Sequence, residues 1–241
     1  METSPENLNF PDLESVIKGF KADYTCKSCG QKKTVNLLPY INFSENPEYY
    51  ALAKDLSIFK VKCDKCGQEE IIKFDSLFVD DEHKYFLYFL SDPGSYSKFR
   101  YQITYFIETS LNKDGKFDLE DYKTRVVFSL NDLVEKMAIF EVGLNDIAIE
   151  LIKFMLYKKN ILDKAVYDSL YFDGMNKANL EFAAFSTKSS TVKPERYVIE
   201  GEFYNKVVDD VIKLEKAAKD SKELFRLIDS SWIESNVKGL N

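Results

Sequence analysis

Histidine occurs once in the 241 residues, tryptophan once and cysteine four times. A single histidine, His83, leaves one candidate base for any Ser-His-Asp or Cys-His arrangement. It stands in Asp80-Asp81-Glu82-His83-Lys84, which reads as a solvated turn between two aromatic strands. Nine glycines and six prolines are too few for a fibrous or linker-like chain. No run approaches the roughly 18 apolar residues of a membrane helix. The strongest, Ile147 to Tyr157, is broken by Glu150 and Lys153. Met1 to Phe10 is polar and acidic, so no secretory signal is expected and a cytoplasmic location is. Phosphate-cradling glycine loops, nucleotide fingerprints and paired catalytic carboxylates are missing as well, so no enzyme class is indicated.

What is present is a folding composition, 45% hydrophobic with 15% aromatic residues, well above what a disordered chain carries. Lysine dominates over arginine, which hints at an AT-rich bacterial genome. The net charge is −7 and unevenly spread. Between Lys21 and Lys73 nine lysines face seven acids, about +2, so the remainder carries −7 − 2 = −9. Nucleic acid is repelled by most of such a surface, leaving only the N-terminal part to bind it.

All four cysteines fall there. They read Cys26-Lys-Ser-Cys29-Gly and Cys63-Asp-Lys-Cys66-Gly, separated by 63 − 29 − 1 = 33 residues. Two thiolates three apart on a tight turn both reach one ion at about 2.3 Å, and tetrahedral zinc takes two such pairs. Glycine after the second cysteine permits positive φ, which turns backbone N–H groups toward sulfur. Asp23 to Thr25 and Ser57 to Lys62 read as strands entering these knuckles, and Thr34 to Phe43 and Glu70 to Phe74 as strands leaving them. Two hairpins clamping one ion make a zinc ribbon, and four thiolates close its coordination sphere, so one structural Zn2+ is expected. Disulfides do not suit a reducing compartment. A redox dithiol needs one C-x-x-C rather than two matched copies, and a rubredoxin-like iron centre uses the same ligands. Lys27, Lys32, Lys33, Lys62 and Lys65 surround the site and offset its formal charge of about −2.

Three stretches resemble the CpXC family, bacterial and archaeal proteins with paired Cys-Pro-x-Cys motifs. They are the two knuckles with Asn46-Pro47-Glu48 starting a helix between them; Ser76 to Asp81 followed by the strand Tyr85 to Leu90; and Arg125 to Lys136 with Phe140 to Asp146 and Ile149 to Lys153. The resemblance spans most of residues 20 to 160, and the run around Glu135-Lys136 is its most distinctive part. It implies architecture and a metal, without an assigned activity. Both motif prolines are replaced, by Lys27 and Asp64, which softens the knuckles without removing a ligand.

Farther along, Ser129 is placed to cap a helix with Leu130, Leu133, Val134, Met137 and Ala138 on one face. Gly143 ends it, and Asn145 caps a second with Ala148, Leu151, Ile152 and Met155. This helical pair is expected to cover a sheet. Ser169 to Phe172, Asn179 to Ser186 and Tyr197 to Phe203 read as a meander turning at Asp173-Gly174. A C-terminal helix carries Val207, Val208, Val211, Leu214 and Ala218, then Phe225, Ile228 and Trp232 as the anchor. Ser110 to Asp121 resembles a calcium loop but begins with Ser, ends with Asp and follows Arg100 to Ile107, which reads as a strand; a turn at Lys113-Asp114-Gly115 explains the same residues. Asp209-Asp210 and Glu69-Glu70 read as solvated charges.

The expectation is an α+β protein: a zinc-ribbon domain over residues 1–95 and an α+β domain over 96–241, bent at Ser91 to Ser97. Its expected role is a zinc-stabilised cytosolic interaction or regulatory module with a protein partner. A nucleic-acid regulator using the lysine-rich knuckles is the alternative. An enzyme with a site between the domains is the third.

Overall fold

A computed structural model of the chain describes residues 19–218 and 224–237. Met1 to Phe10 and the side chains of Leu214 and Ala218 lie outside the described residues. The fold is α+β, as the alternation of period-2 and period-3.6 segments predicts. The chain divides into two compact units, Met1–Lys123 and Thr124–Asn241. The boundary expected at residues 95/96 falls within the first unit, directly before the helix Tyr96–Phe106.

In the first unit, β1 (Phe20–Thr25) and β2 (Lys32–Leu37) form one antiparallel hairpin. A short strand, β3 (Tyr40–Asn42), follows, then the helix α1 (Glu48–Lys54). The second hairpin pairs β4 (Lys60–Lys62) with β5 (Glu69–Ile71). The ribbon is thus two separate two-stranded sheets. The chain also builds a third sheet in this unit, in which β6 (Ser76–Asp80) pairs antiparallel with β7 (Tyr85–Phe89) and parallel with β3. Every residue of β6 is buried. Phe59, Phe78 and Phe89 are fully buried around it, and Phe59 meets Phe74 and Phe89 at ring-centroid distances of 5.2 and 5.5 Å. Phe59 also accepts the Ile72 N–H through its carbonyl at 2.8 Å, tying the root of the second hairpin to this aromatic core.

Arg100 to Ile107 is helix, not strand. It lies in α2 (Tyr96–Phe106), which continues as a wider turn over Ile107–Leu111. The deciding residues are Phe99, Ile103 and Ile107, buried at four-residue intervals while Tyr101 and Tyr105 face outward. The loop after it uses its side-chain oxygens on its own backbone. Asn112 Oδ1 accepts from the Phe117 N–H and Asn112 Nδ2 donates to the Phe117 carbonyl, both at 2.7 Å. Asp118 caps a single turn by accepting from the Glu120 N–H. His83 sits in the β6–β7 turn as expected, but its neighbour Asp80 is buried and holds that turn, accepting from the N–H groups of Glu82 and His83 and meeting His83 Nδ1 at 2.8 Å.

The second unit opens with β8 (Lys123–Val127), whose residues from Thr124 belong to it. Then come α3 (Leu130–Glu141) and α4 (Asp146–Lys158). Ser129 Oγ accepts the Asp132 N–H, Gly143 takes φ 70°, and Asn145 Oδ1 accepts from Ile147 and Ala148, so all three cap readings hold. The sheet is antiparallel in order β11-β10-β9, with β9 (Ser169–Asn176), β10 (Asn179–Phe185) and β11 (Glu195–Ile199). Two helices close the fold, α5 (Gly201–Ala218) and α6 (Ser230–Val237). Of the pair, α3 makes the main packing on β9, whereas α4 packs chiefly on α5 and α6 and reaches β9 through Lys153 over the Tyr171 ring. Burial on nearly every side of α4 follows from that sandwiched position.

Three details of this unit correct the sequence reading. Asp173-Gly174 is not the hairpin turn; the register shifts there, between Glu181 and Phe182 on the partner strand, and the turn is Lys177-Ala178 with Lys177 at φ 56°. Tyr197 to Phe203 is not one strand: it stops at Ile199, and α5 starts at Gly201, whose missing Cβ would lie 2.3 Å from the Ala178 carbonyl oxygen. In α6 the anchor is Ile233, fully buried, while Trp232 is half-buried.

Candidate metal centre

Each C-x-x-C-G unit sits at a hairpin tip, and the two tips are built alike. Cys26 N–H donates to the Gln31 carbonyl and Gly30 N–H to the Cys26 carbonyl, both at 2.9 Å. The second tip repeats this with Cys63 to Gln68 at 2.8 Å and Gly67 to Cys63 at 2.9 Å. Gly30 and Gly67 adopt φ 71° and 73°, the left-handed conformation that a side chain resists. The wrap leaves the N–H groups inside each turn free to aim at sulfur.

These tips bring Cys26, Cys29, Cys63 and Cys66 together, with all four Sγ atoms within 4.8 Å of one another. Sulfurs cross between the tips at 3.6 Å, Cys26 to Cys66 and Cys29 to Cys63. A regular tetrahedron with metal–sulfur bonds of about 2.3 Å has sulfur–sulfur edges of about 3.8 Å. The contacts therefore match a shared ion and exceed by far the roughly 2 Å of a disulfide; all four cysteines are free. Among the described residues no other group of three or more metal-ligating side chains comes this close. Cys26 and Cys63 are buried with Tyr24, and Val35, Val61 and Ile72 pack around them, so the sulfurs lie on an apolar floor with Cys66 at the exposed side.

The thiols are graded electrostatically. Burial resists ionisation of Cys26, but the N–H groups of Cys29 and Ser28, with the neighbouring thiols, bring it down to about 6. The N–H groups of Cys66 and Lys65 lower Cys63. The Gln68 N–H favours the Cys66 thiolate, yet burial and the three surrounding sulfurs push Cys66 up to about 12. Four thiolates without a cation repel one another; a divalent cation displaces the remaining protons, which is how such centres take up metal.

Side chains from opposite hairpins lock the tips. Glu70 Oε1 accepts from Tyr24 Oη at 2.8 Å and from the Lys27 N–H at 2.9 Å. Those two donors, the Lys27 N–H foremost, hold the Glu70 carboxyl below the usual range. Lys33 Nζ crosses the other way, donating to the Lys62 carbonyl and to Asp64 Oδ1. Glu70 is therefore a structural cross-tie and not a solvated charge, and only the hairpin pairing places it beside Tyr24.

Residues 24–153, more than half the chain, match the CpXC protein family. The chain belongs to the CpXC family. Comparison with curated proteins and with solved structures finds no match. In this CpXC protein Lys27 and Asp64 stand in the motif-proline places, and both serve the cross-ties, Lys27 through its N–H and Asp64 through its carboxylate. A proline at 27 would remove the N–H that binds Glu70.

The CpXC match also covers a constellation that the sequence hides. Arg125 on β8, Glu135 and Lys136 on α3, and Asp146 and Glu150 on α4 are all buried, with Lys153 nearly so. Arg125 grips Asp146 bidentately, Nε and Nη2 donating at 2.8 and 3.0 Å, and Lys136 adds a third bond at 3.1 Å. Burial opposes ionisation of Asp146, but these two cations hold its carboxyl far below the usual range. Lys153 donates to both oxygens of Glu135, at 3.1 and 2.9 Å, and to Glu150 at 3.0 Å. Burial works against its charge, yet the two carboxylates keep it firmly protonated. Read along the helices, Glu135-Lys136 and Lys153 resemble surface charges; only the burial of both helices shows otherwise.

Proposed function

We propose that the four cysteines hold one structural zinc ion, and that this CpXC protein is a zinc-stabilised interaction or regulatory module working in the cytoplasm rather than an enzyme. The observation that carries the reading is the closed sphere of four sulfurs at tetrahedral spacing, with Cys26 and Cys63 buried. It leaves no open coordination position for substrate, unlike a catalytic zinc. Elemental analysis of protein prepared without added metal tests it: about one zinc per chain is expected. Iron in its place, or no metal with four titratable thiols, overturns it.

The favoured partner is a protein. Three of the five knuckle lysines are engaged with acids, Lys27 with Glu70, Lys33 with Asp64 and Lys62 with Glu69, which reduces the positive patch that phosphate binding requires. With a net charge of −7, the chain is expected to bind DNA or RNA no more tightly than about 10⁻⁵ M at physiological salt. Submicromolar binding in a gel-shift titration, abolished by neutralising Lys27, Lys32, Lys33, Lys62 and Lys65, reverses the ranking in favour of a nucleic-acid regulator. No helix among the described residues is long and apolar enough to cross a membrane.

A further inference from the structure

The buried charges of the second unit border a cavity of about 230 Å³. Its inner wall is balanced: Glu135 and Glu150 face Lys136 and Lys153, all four lining it. Both lysines reach Glu150, at 3.0 and 3.5 Å, and Glu150 itself borders the cavity. The rim is not balanced. Asp132, Asp168 and Asp229 stand against Lys164, an excess of 3 − 1 = 2 negative charges. Since the inner lysines already hold carboxylates, an anion finds one uncommitted cation here and a cation finds a field in its favour.

Aromatic rings complete the wall. Phe154, Tyr157 and Tyr171 all line the cavity. Two of them already host ammonium groups of the protein, Lys164 Nζ lying 5.7 Å from the Tyr157 centroid and Lys153 Nζ 5.7 Å from that of Tyr171. The Tyr157 hydroxyl is buried and has no hydrogen-bond partner in the protein. Burial foremost pushes this phenol up to about 12, so it stays a neutral hydroxyl with a donor and lone pairs to offer. A hydroxyl kept dry without a partner costs stability that a ligand hydrogen bond recovers. Glu150 and Tyr157 are seven residues apart on α4, about 10 Å along its axis.

We propose that this cavity is a binding site for a small linear alkyl diamine, one ammonium group meeting the Glu150 carboxylate and the other the Tyr157 hydroxyl and the acidic rim. Two positive charges match the excess of two, a flexible methylene chain suits the aromatic wall between them, and the spacing of the polar ends selects length. The site is separate from the metal centre, lying wholly in the second unit. A partner's exposed lysine presents only one of the two charges, so a monoamine is the discriminating control.

The experiment is calorimetric titration of the full zinc-loaded chain with 1,4-diaminobutane, beside 1-aminobutane, 1,4-butanediol and Mg²⁺. Saturable one-to-one binding of the diamine is expected, at least about tenfold tighter than the monoamine, with no saturation by the diol. Two variants then separate ligand binding from folding. Tyr157→Phe removes a hydroxyl that bonds nothing in the protein, so the unliganded melting temperature holds or rises while diamine affinity falls about tenfold. Asp132→Asn weakens binding and lowers its salt dependence. Absence of saturation by the diamine, equal binding of Mg²⁺, or a Tyr157→Phe protein that binds as tightly as the parent overturns the proposal.

Discussion

Chelation of the metal is expected to unfold the two hairpins of the first unit while the second unit stays folded. The hairpins are small: β4 and β5 have three residues each, and their apolar floor is mainly Tyr24, two of the cysteines and a few aliphatic side chains. So little burial does not offset the conformational entropy of ordering the tips. For a four-thiolate zinc site the apparent binding free energy is about 10–16 kcal/mol near neutral pH, and it counts as folding free energy. The second unit has its own core, including Leu133, Met137, Ile147, Ile152, Phe182 and Ile233, each at most 1% exposed. Limited proteolysis during a chelator titration should therefore cut first between residues 19 and 71 and leave a resistant fragment that contains the whole second unit. Far-UV helicity should largely persist, because α3 to α6 lie in that fragment. Cys26→Ser and Cys66→Ser should reproduce the pattern without chelator. If chelation strips the metal and the whole chain remains as resistant as before, the ion does not hold the fold, and a sensory or catalytic role becomes the better account.

The cysteine cluster was legible because its signal is local. Two C-x-x-C-G units, each with a glycine that must take positive φ, specify matching turns whatever surrounds them. The helix caps were legible for the same reason, since Ser129, Gly143 and Asn145 act on backbone within four residues. Errors gathered where a residue's role depends on distant chain. Arg100 to Ile107, rich in aromatic and β-branched residues, has the composition of a strand; the helix wins because Phe99, Ile103 and Ile107 share one buried face. Asp173-Gly174 has turn chemistry but is spent on a bulge, since Lys177-Ala178 closes the hairpin and the close approach of Gly201 to Ala178 fixes where. Glu70, Glu135 and Lys136 are charged residues whose partners Tyr24, Lys153 and Asp146 stand 46, 18 and 10 positions away on other elements. No periodicity announces such pairs. The diamine cavity belongs to this class, assembled from α3, α4, β9 and the segment leading into α6.

Asp146→Asn is expected to be the most destabilising single substitution of the second unit, by about 3–5 kcal/mol near neutral pH. The change is nearly isosteric, so the cost is electrostatic. Asparagine leaves Arg125 and Lys136, 5% and 3% exposed, without their shared counter-charge and turns one hydrogen-bond acceptor into a donor facing cations. It also removes an acid from the first turn of α4, where it complements the helix dipole. A loss of that size lowers the melting temperature of the unit by roughly 10 °C or more. The pH dependence supplies a signature that a packing defect does not mimic. Asp146 titrates far lower in the folded state than its ordinary value of about 3.9. A depressed folded value means the stabilisation is fully present above that ordinary value and is lost as pH falls through it toward the folded one. The gap between parent and variant should thus stay constant from neutral pH to about 5 and narrow steadily below about 4. Replacing Arg125, Lys136 and Asp146 together by apolar residues of similar volume should restore much of the lost stability, because the penalty of the single variant is that of unpaired buried charge. A variant within about 1 kcal/mol of the parent in denaturant melts at pH 7, or a gap that persists unchanged at pH 3, would show that this ion cluster is not what holds β8, α3 and α4 together.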